Sequence, residues 1–142
     1  MIPNNDNYED EMEENIITDF EIESEPSLTY AMNLERFVFV GTVDETEAVK
    51  QAILKIIHTE RYEHDIYSWD YGIELKDLHG KSMPYVMSEI KQRITDALTA
   101  DDRIESISDF SIERIGKNTL CCNFKVITAQ DEEFTIESEV NI

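Results

Sequence analysis

Basic residues are missing from the first 27 positions, which hold 10 acids between Asp6 and Glu25 and no Lys or Arg. The rest of the 142-residue chain carries 22 acids against 12 bases, and the formal charge of the whole is -20. Contacts to phosphate need clustered Lys and Arg, so direct binding to nucleic acid is disfavoured, and so is docking on an anionic membrane. Long apolar runs are absent too: none approaches a membrane span, and the acidic start is the opposite of a signal peptide's basic one. Cysteine is scarce. Cys121 and Cys122 are neighbours in a strand-like run, where side chains point to opposite faces, and this disfavours a bridge between them. Two thiols without a secretory segment suggest a reducing compartment, so the chain reads as a soluble protein made in a cytoplasm. With only 4 Gly and 3 Pro, most of the chain should be ordered, and no glycine-rich loop is available to cradle a phosphate.

What is present divides in two. Residues 1–27 read as an acidic, flexible tail, because self-repulsion and few large apolar groups argue against an independent fold. Ile16, Ile17, Phe20 and Ile22 are its apolar exceptions. Residues 28–142 read as a single α+β domain of a size that can bury a real core. Leu34 to Val40 (LERFVFV) reads as a largely buried strand ended by Gly41. Asp44 with Glu47 makes a capping-box pattern, followed by an apolar stripe of Ala48, Val49, Ala52, Ile53, Ile56 and Ile57. That predicts a helix over about 44–58. Residues 75–81 read as a loop. A second helix follows, capped at Ser82 or Met83, with Pro84 tolerated in its first turn. It buries Met83, Met87, Ile90, Ile94, Ala97 and Leu98, pairs Glu89 with Arg93 on its outer face, and ends by about residue 100.

The period then drops from 3.6 to 2. Ile104 to Ile115 reads as a strand, with a hairpin at Gly116-Lys117-Asn118. Leu120, Cys122, Phe124 and Val126 should face inward, and after a turn near 130–133 so should Phe134, Ile136 and Val140. This is a three-stranded antiparallel meander with one wet face. The predicted architecture is two main helices on one face of a small mixed β-sheet, with the meander at the C-terminal end. The last strand is a template for pairing with another chain, unless Glu137 and Glu139 are there to block it.

Between the helices lies HTERYEHDIYSWDYGIEL, residues 58–75, with the only Trp. Arg61 sits between Glu60 and Glu63, within reach of carboxylates. Tyr67, Trp69 and Tyr71 alternate as one face of a strand would. Residue type favours a core-stapling role for these rings over a binding edge, since Tyr and Trp are mostly buried.

No constellation singles out an active site. His58, Glu60, His64 and Asp65 are the only cluster of metal-ligand types, but a spacing of six fits no common face, and no metal or other cofactor is expected. Acidic pairs are too abundant to mark glycoside chemistry. Two alternatives remain open: an acidic regulatory module (an anti-adaptor or a nucleic-acid mimic), for which the charge is suited, and a hydrolase that would need Glu60 or Asp65.

The run from about residue 40 to 128 resembles the baseplate wedge or sheath-initiator family of contractile tails, in its PBSX-like prophage version. The resemblance lies in EAVKQAILKIIHTERYEHDIYSWDYGIELKDLHGK, the second helix, and LTADDRIESISDF. In the wider family a Glu-Arg pair follows the first helix and an aromatic-Gly closes the next segment; here these are Glu60-Arg61 and Tyr71-Gly72. Relatives with a Pro beside the pair are not matched at that position. The resemblance implies helices packed on a small sheet and a structural, non-catalytic role, with assembly in a bacterial cytoplasm before incorporation into the tail. The implied partners are wedge proteins, the tail sheath protein and the tube region, with copies arranged in a ring, six by implication. It implies wedge contacts through Glu60, Arg61, Tyr62, Trp69, Tyr71 and Gly72. Strand pairing would involve Phe134, Ile136, Val140 and Ile142. Older descriptions of the family as a tail lysozyme would need a catalytic pair that this sequence does not single out.

Overall fold

A computed structural model describes residues 27–142, apart from 34 and 37. Nearly all of the acidic tail, with Ile16, Ile17, Phe20 and Ile22, lies outside the described residues. The order is β1 (Thr29–Asn33), β2 (Val38–Val43), α1 (Glu45–Ile57), α2 (Met83–Leu98), β3 (Ile104–Arg114), β4 (Thr119–Thr128) and β5 (Glu133–Asn141), with one 3₁₀ turn at Lys76–Leu78. The α+β class, the two helices and the C-terminal meander are as the periodicity predicts. The strands divide between two antiparallel sheets, β1-β2 and β3-β4-β5, and the first adds nothing to the second.

Both helices bury most of the expected stripes, but Ala52, Met83 and Met87 are only half-buried, and in the first turns of α2 it is Val86 that is sealed in the core. Ile53, Ile90, Ile94 and Leu98 are sealed from solvent and meet Leu120, Cys122, Phe124, Val126, Ile136 and Val140 from the inner face of the sheet. Burial of a large apolar side chain contributes roughly 1.5–3 kcal/mol, so this one layer supplies most of the driving force. Phe110 stacks on Phe124 with ring centroids 5.2 Å apart. Asp44 caps α1 by accepting from the Glu45 N–H at 2.8 Å. Glu47 does not complete a capping box; it pairs with Lys50 at 2.7 Å. Beside the expected Glu89 contact, Arg93 reaches across to Asp77 and to the Glu74 carbonyl, fastening the loop before α2 to the helix.

The N-terminal strand is a correction. LERFVFV is not one buried strand: Asn33 Oδ1 accepts from the N–H groups of Glu35 and Arg36 and turns the chain there. Strand β2 starts at Val38 and runs through Gly41, whose φ of +76° forms a bulge. Tyr30 and Phe39 are each 71% exposed, because this hairpin stands outside the main core. Gln51 of α1 secures it by bonding the Met32 N–H and the Tyr30 carbonyl, both at 2.8 Å, as a neighbouring strand would.

Candidate functional site

The segment after α1 is a looped head on a tight neck, not the extended strand its alternation predicts. At the neck, Ile73 N–H donates to the Thr59 carbonyl at 2.9 Å and Arg61 N–H to the Ile73 carbonyl at 3.1 Å. The Glu60 carboxylate accepts from the N–H groups of Leu75 and Lys76 at 3.1 Å. The Arg61 guanidinium donates twice to the Gly72 carbonyl, at 3.2 and 2.9 Å. Both members of the Glu-Arg pair therefore serve the chain's own backbone, Arg61 to a carbonyl rather than to the flanking acids. Gly72 has φ +89°, and a Cβ there would lie 2.5 Å from the Thr59 carbonyl oxygen. The neck closes only around glycine.

Inside the neck the chain folds on itself in short turns: Glu63 N–H to Glu60, Tyr67 to His64 and Tyr71 to Ser68. Tyr71 is half-buried, stacked on Tyr67 at 4.3 Å between centroids. For this ring the core reading holds. It fails for Tyr62, Tyr67 and Trp69, which are 64%, 37% and 77% exposed, and Ile66 beside them is 87% exposed. Tyr62 also has φ +65°, a left-handed conformation that costs a bulky residue on the order of 1–2 kcal/mol. A rigid neck thus holds an aromatic and apolar head in water, the composition of a buried interface anchor. Ile66 carries no periodic signal in the sequence and was missed there.

The second surface is the edge of the three-stranded sheet. Phe134, Ile136, Val140 and Ile142 point into the protein's own core; Ile136, Val140 and Ile142 are 5%, 2% and 8% exposed, and Phe134 is half-buried beneath the Lys50 ammonium. They are not available as contacts for a pairing strand. The main chain is. Thr128 N–H bonds the Glu132 carbonyl and Ile142 N–H the Asn118 carbonyl. The register between them is unbroken. Antiparallel alternation then assigns the even-numbered residues of β5 to β4 and turns the N–H and C=O of Thr135, Glu137 and Glu139 outward. Strand β3, the other edge, is interrupted twice in its register and holds Asp109 at φ +50°, devices that discourage pairing. The regular edge is β5.

Among the described residues no three His, Cys, Asp or Glu converge as a metal site. His58 Nδ1 lies 2.8 Å from the Leu54 carbonyl, and His64 packs edge-on against Tyr67. No helix among the described residues is long and apolar enough to cross a membrane. Burial pushes the Cys122 thiol up to about 11, so it remains a neutral core side chain.

Comparison with known proteins agrees across sequence and fold. Residues 28–131 match the family model described as contractile injection system sheath initiator. The phage-like element PBSX protein XkdS of Bacillus subtilis (strain 168) is 36% identical over 128 residues, covering 85% of this chain and 88% of that protein. A crystal structure from Geobacter sulfurreducens, provisionally described as a tail lysozyme, superposes with a TM-score of 0.54. It covers 68% of this chain and 89% of that one at 16% identity, a likeness of fold.

Proposed function

We propose, from the premise that this chain belongs to the contractile injection system sheath initiator family, that it joins the baseplate and starts the sheath by offering β5 as a template strand. The coarse role follows from the family: a structural component of a contractile-tail baseplate. The finer reading is carried by one observation. The last strand of the sheet is regular and unbulged, and outside it runs a row of unpaired backbone groups on Thr135, Glu137 and Glu139. A sheath subunit that adds a strand there gains main-chain hydrogen bonds, while the outward acids select its side chains. The aromatic head then faces the wedge, with Tyr62, Ile66 and Trp69 as anchors and Glu60, Arg61 and Gly72 setting its shape. Assembly takes place in the bacterial cytoplasm, and several copies in a ring convert weak single contacts into a firm nucleus. The reading is non-catalytic: Glu60 is engaged by backbone amides and Asp65 is exposed on the head.

The test must spare the core. Removing β5 and Ile142 would take buried Ile136, Val140 and Ile142 from the core, so loss of sheath would mean only loss of fold. Proline at Glu137 instead deletes an outward N–H and no ladder bond, as edge strands tolerate. The expected outcome is baseplates that contain the Glu137→Pro protein, folded by circular dichroism, but carry no sheath in electron micrographs. Sheathed tails of normal length would refute the strand template.

A further inference from the structure

The β1–β2 hairpin leaves an apolar face uncovered. Tyr30 lies opposite Thr42 and Met32 opposite Phe39 across the pair, and alternation along β1 puts Tyr30 and Met32 on one side. Phe39 therefore shares a face with Tyr30 and Met32. Leu28 precedes Tyr30 by two residues, the interval that returns a side chain to the same side of an extended chain. Tyr30 and Phe39 are 71% exposed and Leu28 is 62% exposed, although α1 already holds one edge of the hairpin through Gln51. A two-stranded hairpin has little stability of its own, and clustered apolar groups of this size in water mark a surface that something covers.

We propose that residues 16–22 of the same chain, IITDFEI, fold back over this face and cover it. Four of these seven residues are large and apolar, Ile16, Ile17, Phe20 and Ile22. Ile16 and Phe20 come to one side whether the segment is helical or extended, since a spacing of four suits both periods. The tether is short: residues 23–27 alone separate the segment from Leu28. Five residues are enough to reverse a chain, and so short a link holds its ends at a roughly millimolar effective concentration. The lengths agree. Seven extended residues span about 23 Å, against about 17 Å for the five residues of β1. Charge agrees as well. A segment running back along β1 from Leu28 reaches the hairpin's turn and brings Glu13 and Glu14 to Arg36. Arg36 is exposed, with Glu35 as its neighbour, and belongs to none of the six ion pairs among the described residues. The apolar part of the tail thus completes the hairpin, and its acids are carried beyond the turn.

Three full-length proteins test this: the wild type, a variant of the segment (Ile16→Ser, Phe20→Ser, Ile22→Ser) and a matched variant outside it (Ile2→Ser, Tyr8→Ser, Met12→Ser). Thermal melts and the amide spectrum of β4 check that both variants keep the fold. In the wild type, nuclear Overhauser contacts should join the Ile16 and Ile22 methyl groups to the rings of Tyr30 and Phe39. Anilinonaphthalene sulfonate brightens on exposed apolar surface. Its fluorescence should rise about threefold or more in the segment variant and stay within about 1.5-fold in the other. Absence of those contacts in the wild type, or equal dye binding by all three proteins, would overturn the proposal. So would contacts seen only between differently labelled copies, which would give the face to the tail of a second molecule. Neither the family nor the β5 edge bears on these outcomes.

Discussion

At the scale of single residues, Gly72 carries more of the fold than its size suggests. Three glycines among the described residues share left-handed backbones, Gly41 at φ +76°, Gly72 at +89° and Gly80 at +79°, but only Gly72 has a neighbour where a Cβ would go, the Thr59 carbonyl oxygen at 2.5 Å. Alanine at Gly41 should cost only the left-handed penalty, about 1 kcal/mol. Alanine at Gly72 adds a clash with backbone that cannot step aside, because Thr59 is itself bonded to Ile73. A loss of about 2–4 kcal/mol is expected there. Thermal melts of the two variants should separate clearly, with Gly41→Ala near wild type. Equal shifts would show that the neck opens at little cost, and that the head is not held in a fixed shape.

At the scale of elements, the junction between α2 and β3 depends on one carboxylate. Asp101 accepts from the Arg103 N–H at 3.1 Å and from its guanidinium, and its carbonyl takes the Ile104 N–H at 2.9 Å, which starts β3. Arg103 holds the Asp101 carboxyl below the ordinary aspartate range. A depressed folded value stabilises the protein above the unfolded pKa, and the contribution is lost as pH falls through the folded one. Asp101→Asn should therefore melt lower than wild type at pH 7, by about 1–2 kcal/mol, and the gap should narrow below about pH 4. A gap independent of pH would assign the effect to shape. The flanking elements were legible from sequence, because both helical stripes and the meander alternate with one period over many residues. Two segments were not. In LERFVFV the apolar residues imitate a core strand, while the Asx turn that divides them depends on Asn33, one position upstream. In the aromatic segment Tyr67, Trp69 and Tyr71 keep strand spacing, yet a strand needs a partner ladder. The backbone there goes into local turns instead, Tyr67 N–H to the His64 carbonyl and Tyr71 N–H to the Ser68 carbonyl, inside a loop closed at Thr59, Arg61 and Ile73. The edge of β5 was foreseeable from its place in the chain, but the outward groups belong to the polar residues, not to the apolar ones that first draw the eye.

At the scale of the whole molecule, charge decides how the protein meets other copies. Six ion pairs join described residues, and five of the six have at least one exposed member; such pairs contribute roughly 0–1 kcal/mol each. Against them stand 32 acids and 12 bases in one small chain. Repulsion among carboxylates should outweigh these attractions, and salt screens both. Raising sodium chloride from low to moderately high concentration is thus expected to increase the melting temperature, by about 3–5 °C, the shift that about 1 kcal/mol makes in a chain of this length. Calorimetry checks the sign directly; a melting temperature that falls with salt would mean that pairs such as Arg93–Asp77 outweigh the repulsion. The same imbalance acts between molecules. Copies carrying -20 each avoid one another in dilute solution, which keeps the open edge of β5 from closing on a second β5. On the proposed reading, copies would gather only where partners of opposite charge hold them, so the charge that loosens the lone protomer would also delay pairing at β5 until a sheath strand is delivered there.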